Sequence, residues 1–211
     1  MAAPDNGALT GLLVDYGGVL TTNVWDSFRA FCDAEGIDRD EVKKAFRENP
    51  EARALLRRLE AGELNEDTFA PLFGPIIGVR EDRHEGLVER LFSGMQPEQA
   101  MIDALPRARA AGVKTGLISN SWGRGRYDRD AFSRLFDCVV ISGEVGLYKP
   151  QPEIFKLGAE QVGLAPAQCV FVDDLVENCE GAEAVGMTAV LHRGADGTLD
   201  RLEELLGVSL R

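Results

Sequence analysis

The chain has 211 residues, 45% of them hydrophobic and 27% charged, with a formal net charge of −12 at pH 7. That balance supports one globular domain, with room for a modest insertion, and no run of about 18 apolar residues is present to span a bilayer. The acidity argues against nucleic acid as a partner, because such binders gain affinity by neutralising phosphates with Lys and Arg.

The opening stretch "MAAPDNGALTGLL" has no basic region before its apolar residues, so no secretory signal is expected. Cys32, Cys138, Cys169 and Cys179 are scattered without CxxC or Cys/His spacing. A reduced, cytoplasmic setting is expected rather than a disulfide framework or a zinc site. The first apolar run, residues 11–15 (GLLVD), is continuous rather than alternating, as in a strand covered on both faces. The next such run begins about a hundred residues later, far more than the roughly thirty that one βαβ crossover needs.

Patterns over 24–35, 39–47, 51–61, 65–73 and 81–92 predict helices in that gap. "GELNEDTF" carries an N-cap signal at Asn65 with acids in the first turn, and "FGPIIGV" is a breaker. Residues 22–95 are read as a helical cap inserted into a core made of 1–21 and 96–211. Beyond it, apolar runs at 113–120, 138–142, 168–174 and 188–192 alternate with helical patterns at 97–111, 127–136, 151–163, 176–185 and 197–206. The expected fold is α/β, with a doubly wound parallel Rossmann-like sheet.

The runs end in polar groups: Asp15, Ser119 with Asn120, Ser142, Asp173 with Asp174, and His192. Each alone has a structural explanation, such as a turn or a helix cap. Together, at strand ends where α/β sheets bind ligands, they point to a site. His192 receives no role.

"LLVDYGGVLT", "GLISNS", "GLYKPQPEIF" and "VFVDDLVENCEGAEAVGM" occur in order over nearly the whole chain. In this respect the sequence resembles the haloacid dehalogenase-like (HAD) superfamily of phosphohydrolases, in the subgroup with a helical cap after the first motif. The resemblance implies that Asp15 is a nucleophile forming an aspartyl-phosphate. It implies that Mg²⁺ is held by Asp15, Asp174 and the carbonyl of Gly17, with Asp173 as a ligand or just behind one and Asn178 nearby. Ser119 and the backbone at Asn120 would grip a phosphoryl oxygen, and Lys149 would balance its charge. Pro150 suits the first position of a helix, which would set Lys149 at a helix N-terminus. The expected partner is a small phosphorylated metabolite, with a sugar phosphate among the candidates.

Residues 15 and 17 share one face of the strand direction, and most family phosphatases carry a second aspartate where Gly17 stands. That aspartate protonates the departing alcohol and then activates water, and its loss costs about 10²–10⁴ in rate. Three explanations stay open. Hydrolysis persists with an easier leaving group, or with help from the cap, the substrate or metal-bound water. Alternatively, the chain has lost turnover and binds a phosphorylated ligand as a regulatory module. The third is a dehalogenase, whose halide needs no proton, although the family's dehalogenases lack the paired acids present at 173 and 174. A phosphonate-cleaving variant would need a cap lysine, and Lys43 and Lys44 read as the polar side of a helix. Asn23, Trp25, Asp26 and Gly94 fall near the cap hinge. Trp122, Arg124 and Arg126 either project toward the cleft or form a mobile basic loop.

Overall fold

The computed structural model describes residues 8–123, 127 and 129–211. Arg124 and Arg126 lie outside the described residues. Five parallel strands form one sheet in the order β3-β2-β1-β4-β5: β1 Gly11–Val14, β2 Lys114–Ser119, β3 Cys138–Ile141, β4 Cys169–Asp173 and β5 Thr188–Leu191. The central three are continuous apolar runs because both of their faces are covered. Leu12 and Val14 enter one core cluster with Leu117, Val170 and Val172. Leu13 enters the opposite cluster with Ile118 and Phe171. Helices α6 (Gln99–Ala110), α7 (Arg129–Leu135) and α11 (Ala195–Leu206) close the first face, and α9 (Pro152–Val162) and α10 (Val176–Ala184) close the second. A single turn, α8 (Ser142–Val145), follows β3.

Between β1 and α6 lies a helical insert: α1 Val24–Glu35, α2 Glu41–Glu48, α3 Pro50–Glu60, α4 Glu66–Phe73 and α5 Leu87–Phe92. Asn23, Asn49 and Asn65 each accept first-turn N–H groups and so start α1, α3 and α4. The expected helix over 81–92 is interrupted. Gly86 adopts φ +65°, leaving a 3₁₀ turn at Glu81–Arg83 before α5. The insert owns an aromatic cluster that includes Phe28, Phe46, Phe69 and Phe73. The two chain crossings into it run side by side, with Thr22 N donating to Gln96 O at 2.8 Å and Thr21 bridged to Pro97.

Pro150 does not open a helix. The Lys149–Pro150 peptide is cis, and α9 starts at Pro152 with Gln151 as its cap. Proline disfavours the helical conformation in the residue before it, so Gln151 is extended (ψ 132°) and the helix cannot begin earlier. Lys149 therefore sits in the turn before α9 rather than at a helix N-terminus.

Candidate active site

The loop after β1 delivers Asp15, whose backbone N donates to Val172 O at 2.9 Å and so locks the residue to the end of β4. Its Oδ1 lies 2.7 Å from Lys149 Nζ. The same ammonium is 2.7 Å from Oδ2 of Asp173, the last residue of β4. Lys149 is only 3% exposed. Asp173 is saturated. Oδ1 accepts from Leu175 N (2.9 Å) and Asn178 Nδ2 (3.1 Å), and Oδ2 accepts from Lys149 and from the same Asn178 amide (3.1 Å).

Asp174 reaches the cluster across Gly18. A Cβ on Gly18 would fall 2.5 Å from Asp174 Oδ2, and φ there is +78°, so only glycine lets the carboxylate lie against that backbone. Oxygens of Asp15, Asp173 and Asp174 come within 4.8 Å of one another. Burial, together with the neighbouring Asp173, pushes the Asp15 carboxyl up to about 7, against the pull of Lys149. Burial and Asp173 likewise raise Asp174 to about 6. Burial alone would lower Lys149, but the carboxylates of Asp15 and Asp173 outweigh it and hold the ammonium above its ordinary range. Three clustered carboxylates facing one ammonium leave negative charge over, and oxygen donors in that surplus suit a hard divalent cation.

Ser119, at the end of β2, is buried, and its Oγ lies 3.0 Å from Tyr127 Oη. Asn120 turns its side chain to the Lys149 backbone, accepting Lys149 N at 2.8 Å and donating to Lys149 O at 3.1 Å. Tyr16 leaves the site, packing edge-on against Tyr127 and Phe132. His192 is buried with its ring Nδ1 2.9 Å from the Thr198 hydroxyl, while its backbone N donates to Asp173 O at 2.8 Å. Trp122 packs among Phe28, Phe46 and Phe92 and so ties the loop after β2 to the insert. Lys44 pairs with Asp38, and Lys43 lies over Trp25, so both stay on the insert's own surface.

Two site neighbours escape the motif reading. Tyr127 sits eight residues beyond Ser119 at the start of the 127–136 helical pattern, where nothing marks it as a site residue. Glu60 ends α3, and its Oε1 accepts from Asn120 Nδ2 at 3.3 Å. The one hint in the sequence is an acid in the last turn of a helix, where the dipole disfavours negative charge.

A parallel sheet that gathers acids and a buried lysine at its carboxyl ends, with helices inserted after the first strand, defines a Rossmann-like α/β enzyme. A family model for haloacid dehalogenase-like hydrolases matches residues 9–186, and the chain belongs to that family. It is 26% identical over 207 residues to mouse (Mus musculus) "Acyl-CoA dehydrogenase family member 10", covering 94% of this chain and 19% of that protein. It is 31% identical over 135 residues to the "Glyceraldehyde 3-phosphate phosphatase" of Methanopyrus kandleri, covering 56% of this chain and 58% of the relative. The chain thus spans under two thirds of either relative. Among solved structures, a HAD family enzyme of Bacteroides thetaiotaomicron in complex with magnesium and inorganic phosphate superposes with TM-score 0.66 at 20% identity, covering 90% of this chain and 96% of that one. No helix among the described residues is long and apolar enough to cross a membrane.

Proposed function

We propose that the protein is a Mg²⁺-dependent phosphatase acting on a small phosphorylated metabolite, a sugar phosphate among the candidates, through an aspartyl-phosphate on Asp15. The observation that carries this reading is the buried Lys149 ammonium held 2.7 Å from both Asp15 and Asp173, with Asp174 beside them. The relative named as a phosphatase and the magnesium and phosphate of the Bacteroides enzyme support it.

Asp15, Asp174 and the Gly17 carbonyl would hold the ion, an all-oxygen set of the kind Mg²⁺ prefers. Asp173 has each oxygen occupied by two donors, so its work is to orient Lys149 and Asn178. The ion, when bound, neutralises phosphoryl charge as a Lewis acid. Lys149 supplies the second positive charge, which lets the Asp15 carboxylate approach an anionic phosphorus. Ser119 Oγ and the backbone N–H groups at Asn120 would bind a phosphoryl oxygen. The helical insert, acting as a cap, excludes water.

The test is phosphate release from sugar phosphates, other alkyl phosphates and acetyl phosphate, with Mg²⁺ or EDTA. Metal-dependent release that disappears in Asp15→Asn, with phosphate binding retained, supports the reading. Gly17 favours one other reading, a phosphorylated-ligand binding module without turnover. Tight ligand binding with no release from any substrate would establish that instead.

A further inference from the structure

The loop after β1 brings no second acid to the site, and the volume beside Gly17 is partly filled, since a Cβ there would lie 3.1 Å from Val24 Cγ2. An acid arrives from the opposite side. Glu60 is the last residue of α3, and its side chain receives one amide proton of Asn120 at 3.3 Å. That same amide holds the Lys149 backbone, so Glu60 is one side chain away from the residue whose ammonium touches Asp15. The approach is fixed at three points. Glu60 O accepts from Ser142 Oγ (2.5 Å), which in turn accepts from Ser121 N (2.8 Å). Gly62 packs on Gly143 so closely that a Cβ would lie 2.5 Å from its carbonyl oxygen. An acid at a helix C-terminus opposes the dipole and weakens α3. Pointing it at an anion-binding site would weaken the site too, unless it carries a proton.

We propose that Glu60 is the general acid and base of the reaction, filling the role vacant at Gly17. The inference rests on the phosphatase reading above. In the first half, an Asp15 oxygen attacks phosphorus. The bond from phosphorus to the leaving oxygen breaks, and that oxygen keeps the electron pair and takes the Glu60 proton. In the second half, a water oxygen attacks the phosphorus and the Glu60 carboxylate takes one water proton. The bond from phosphorus to the Asp15 oxygen then breaks, its electron pair returning to the carboxylate. The sum is phosphomonoester plus water giving alcohol plus phosphate.

The groups facing Glu60 suit a carboxyl that gains and loses a proton near neutrality. Burial raises it to about 7, helped by Asp15 after β1, while Asn120 after β2, Lys149 before α9 and Arg57 on its own helix pull it down. A proton shuttle works best when its pKa lies near the working pH.

The test compares wild type, Glu60→Gln and the control Glu63→Gln, whose exposed side chain faces Arg58 at 3.6 Å. Steady-state release from alkyl phosphomonoesters is read against pH, and single-turnover phosphorylation by acetyl phosphate is read by mass spectrometry of the phosphoenzyme. Glu60→Gln should lose about 10²–10⁴ in kcat on alkyl esters and lose the fall of kcat/KM above about pH 7. Its phosphorylation by acetyl phosphate should change far less, because an acetate leaving group needs no proton, and the phosphoenzyme should accumulate. Glu63→Gln should match wild type. Equal losses for both leaving groups with the pH limb intact, or a loss below about threefold, overturn the proposal. If Glu60→Gln does not fold, Glu60→Asp carries the test: withdrawing the carboxylate by one methylene must slow alkyl esters and spare acetyl phosphate. Failure of wild type to release phosphate from any substrate overturns the phosphatase reading and this one together, and is seen without any variant.

Discussion

Lys149→Met keeps an apolar stem and deletes the charge, whose Nζ lies over Phe171 (5.4 Å from the ring centroid) as well as between two carboxylates. Two carboxylates then lose their shared partner inside the protein. Asp173 retains Asn178 and Leu175 N, whereas Asp15 Oδ1 loses its ammonium. Removing one member of a buried pair costs about 3–5 kcal/mol while the other stays charged. Asp15 can escape by taking a proton. Burial already raises its carboxyl to about 7 and Lys149 holds it down, so the variant raises it further. A folded state that keeps a proton to higher pH than the unfolded chain loses stability as pH rises. In wild type that loss through Asp15 is complete a little above pH 7. In the variant it continues, at about 1.4 kcal/mol per pH unit per proton. Urea unfolding in EDTA should therefore show a destabilisation about 1–2 kcal/mol larger near pH 8.5 than near pH 6.5. A cost below about 1 kcal/mol at both pH values, or costs that do not differ, would refute the charge arrangement described for this site.

Gly18→Ala places a Cβ 2.5 Å from Asp174 Oδ2 at a φ of +78°. It should cost about 1–3 kcal/mol in unfolding experiments and blunt the rise in Tm with added Mg²⁺, and an unchanged Mg²⁺ response counts against Asp174 as a ligand. Gly62→Ala (φ +75°) meets the Gly143 carbonyl at 2.5 Å and should unseat the end of α3. The expected results are a fall in kcat/KM of about tenfold or more and faster proteolysis of the insert, and wild-type values for both would show that this seating does not matter.

The centre of the sheet was legible because its strands are buried on both faces, so Leu12, Leu13 and Val14 all had to be apolar and the first polar residue marked the strand end. The same logic exposed Asp15, Ser119 and Asp173, each of which interrupts or closes such a run. Lys149 was legible as a residue but not in its placement. Pro150 and Pro152 both satisfy the local rule for opening a helix, and only the conformation forced on Gln151 decides between them. The interruption at Gly86 was missed because the polar residues 81–86 were joined to the apolar pattern of Leu87, Val88 and Leu91, which starts only after the glycine. Glu60 was legible only as an acid misplaced at a helix end. Among the charges of "RRLEAGELNED" it reads as solvated surface, and its meaning comes from a contact sixty residues away at Asn120.

Gly17→Asp, by restoring the usual acid, is expected from the sequence alone to raise phosphatase activity. The structure adds a condition. A Cβ on residue 17 presses on Val24 Cγ2 at 3.1 Å, and a carboxylate is longer still, so Val24 in the first turn of α1 must yield. Val24→Ala removes the obstructing Cγ2 methyl from a half-buried position, at a cost of about 1 kcal/mol. The pair Gly17→Asp/Val24→Ala should therefore gain where Gly17→Asp alone gains little. Its effect should also depend on Glu60. Groups that perform one task are non-additive, because once either is present the other has little left to do. In the Glu60→Gln background the pair should raise kcat on alkyl phosphates by about tenfold or more and bring back a fall in rate at high pH, whereas wild type should gain only a few-fold. The same factor in both backgrounds would mean that residues 17 and 60 act independently, and that the vacancy at Gly17 is filled by something other than Glu60.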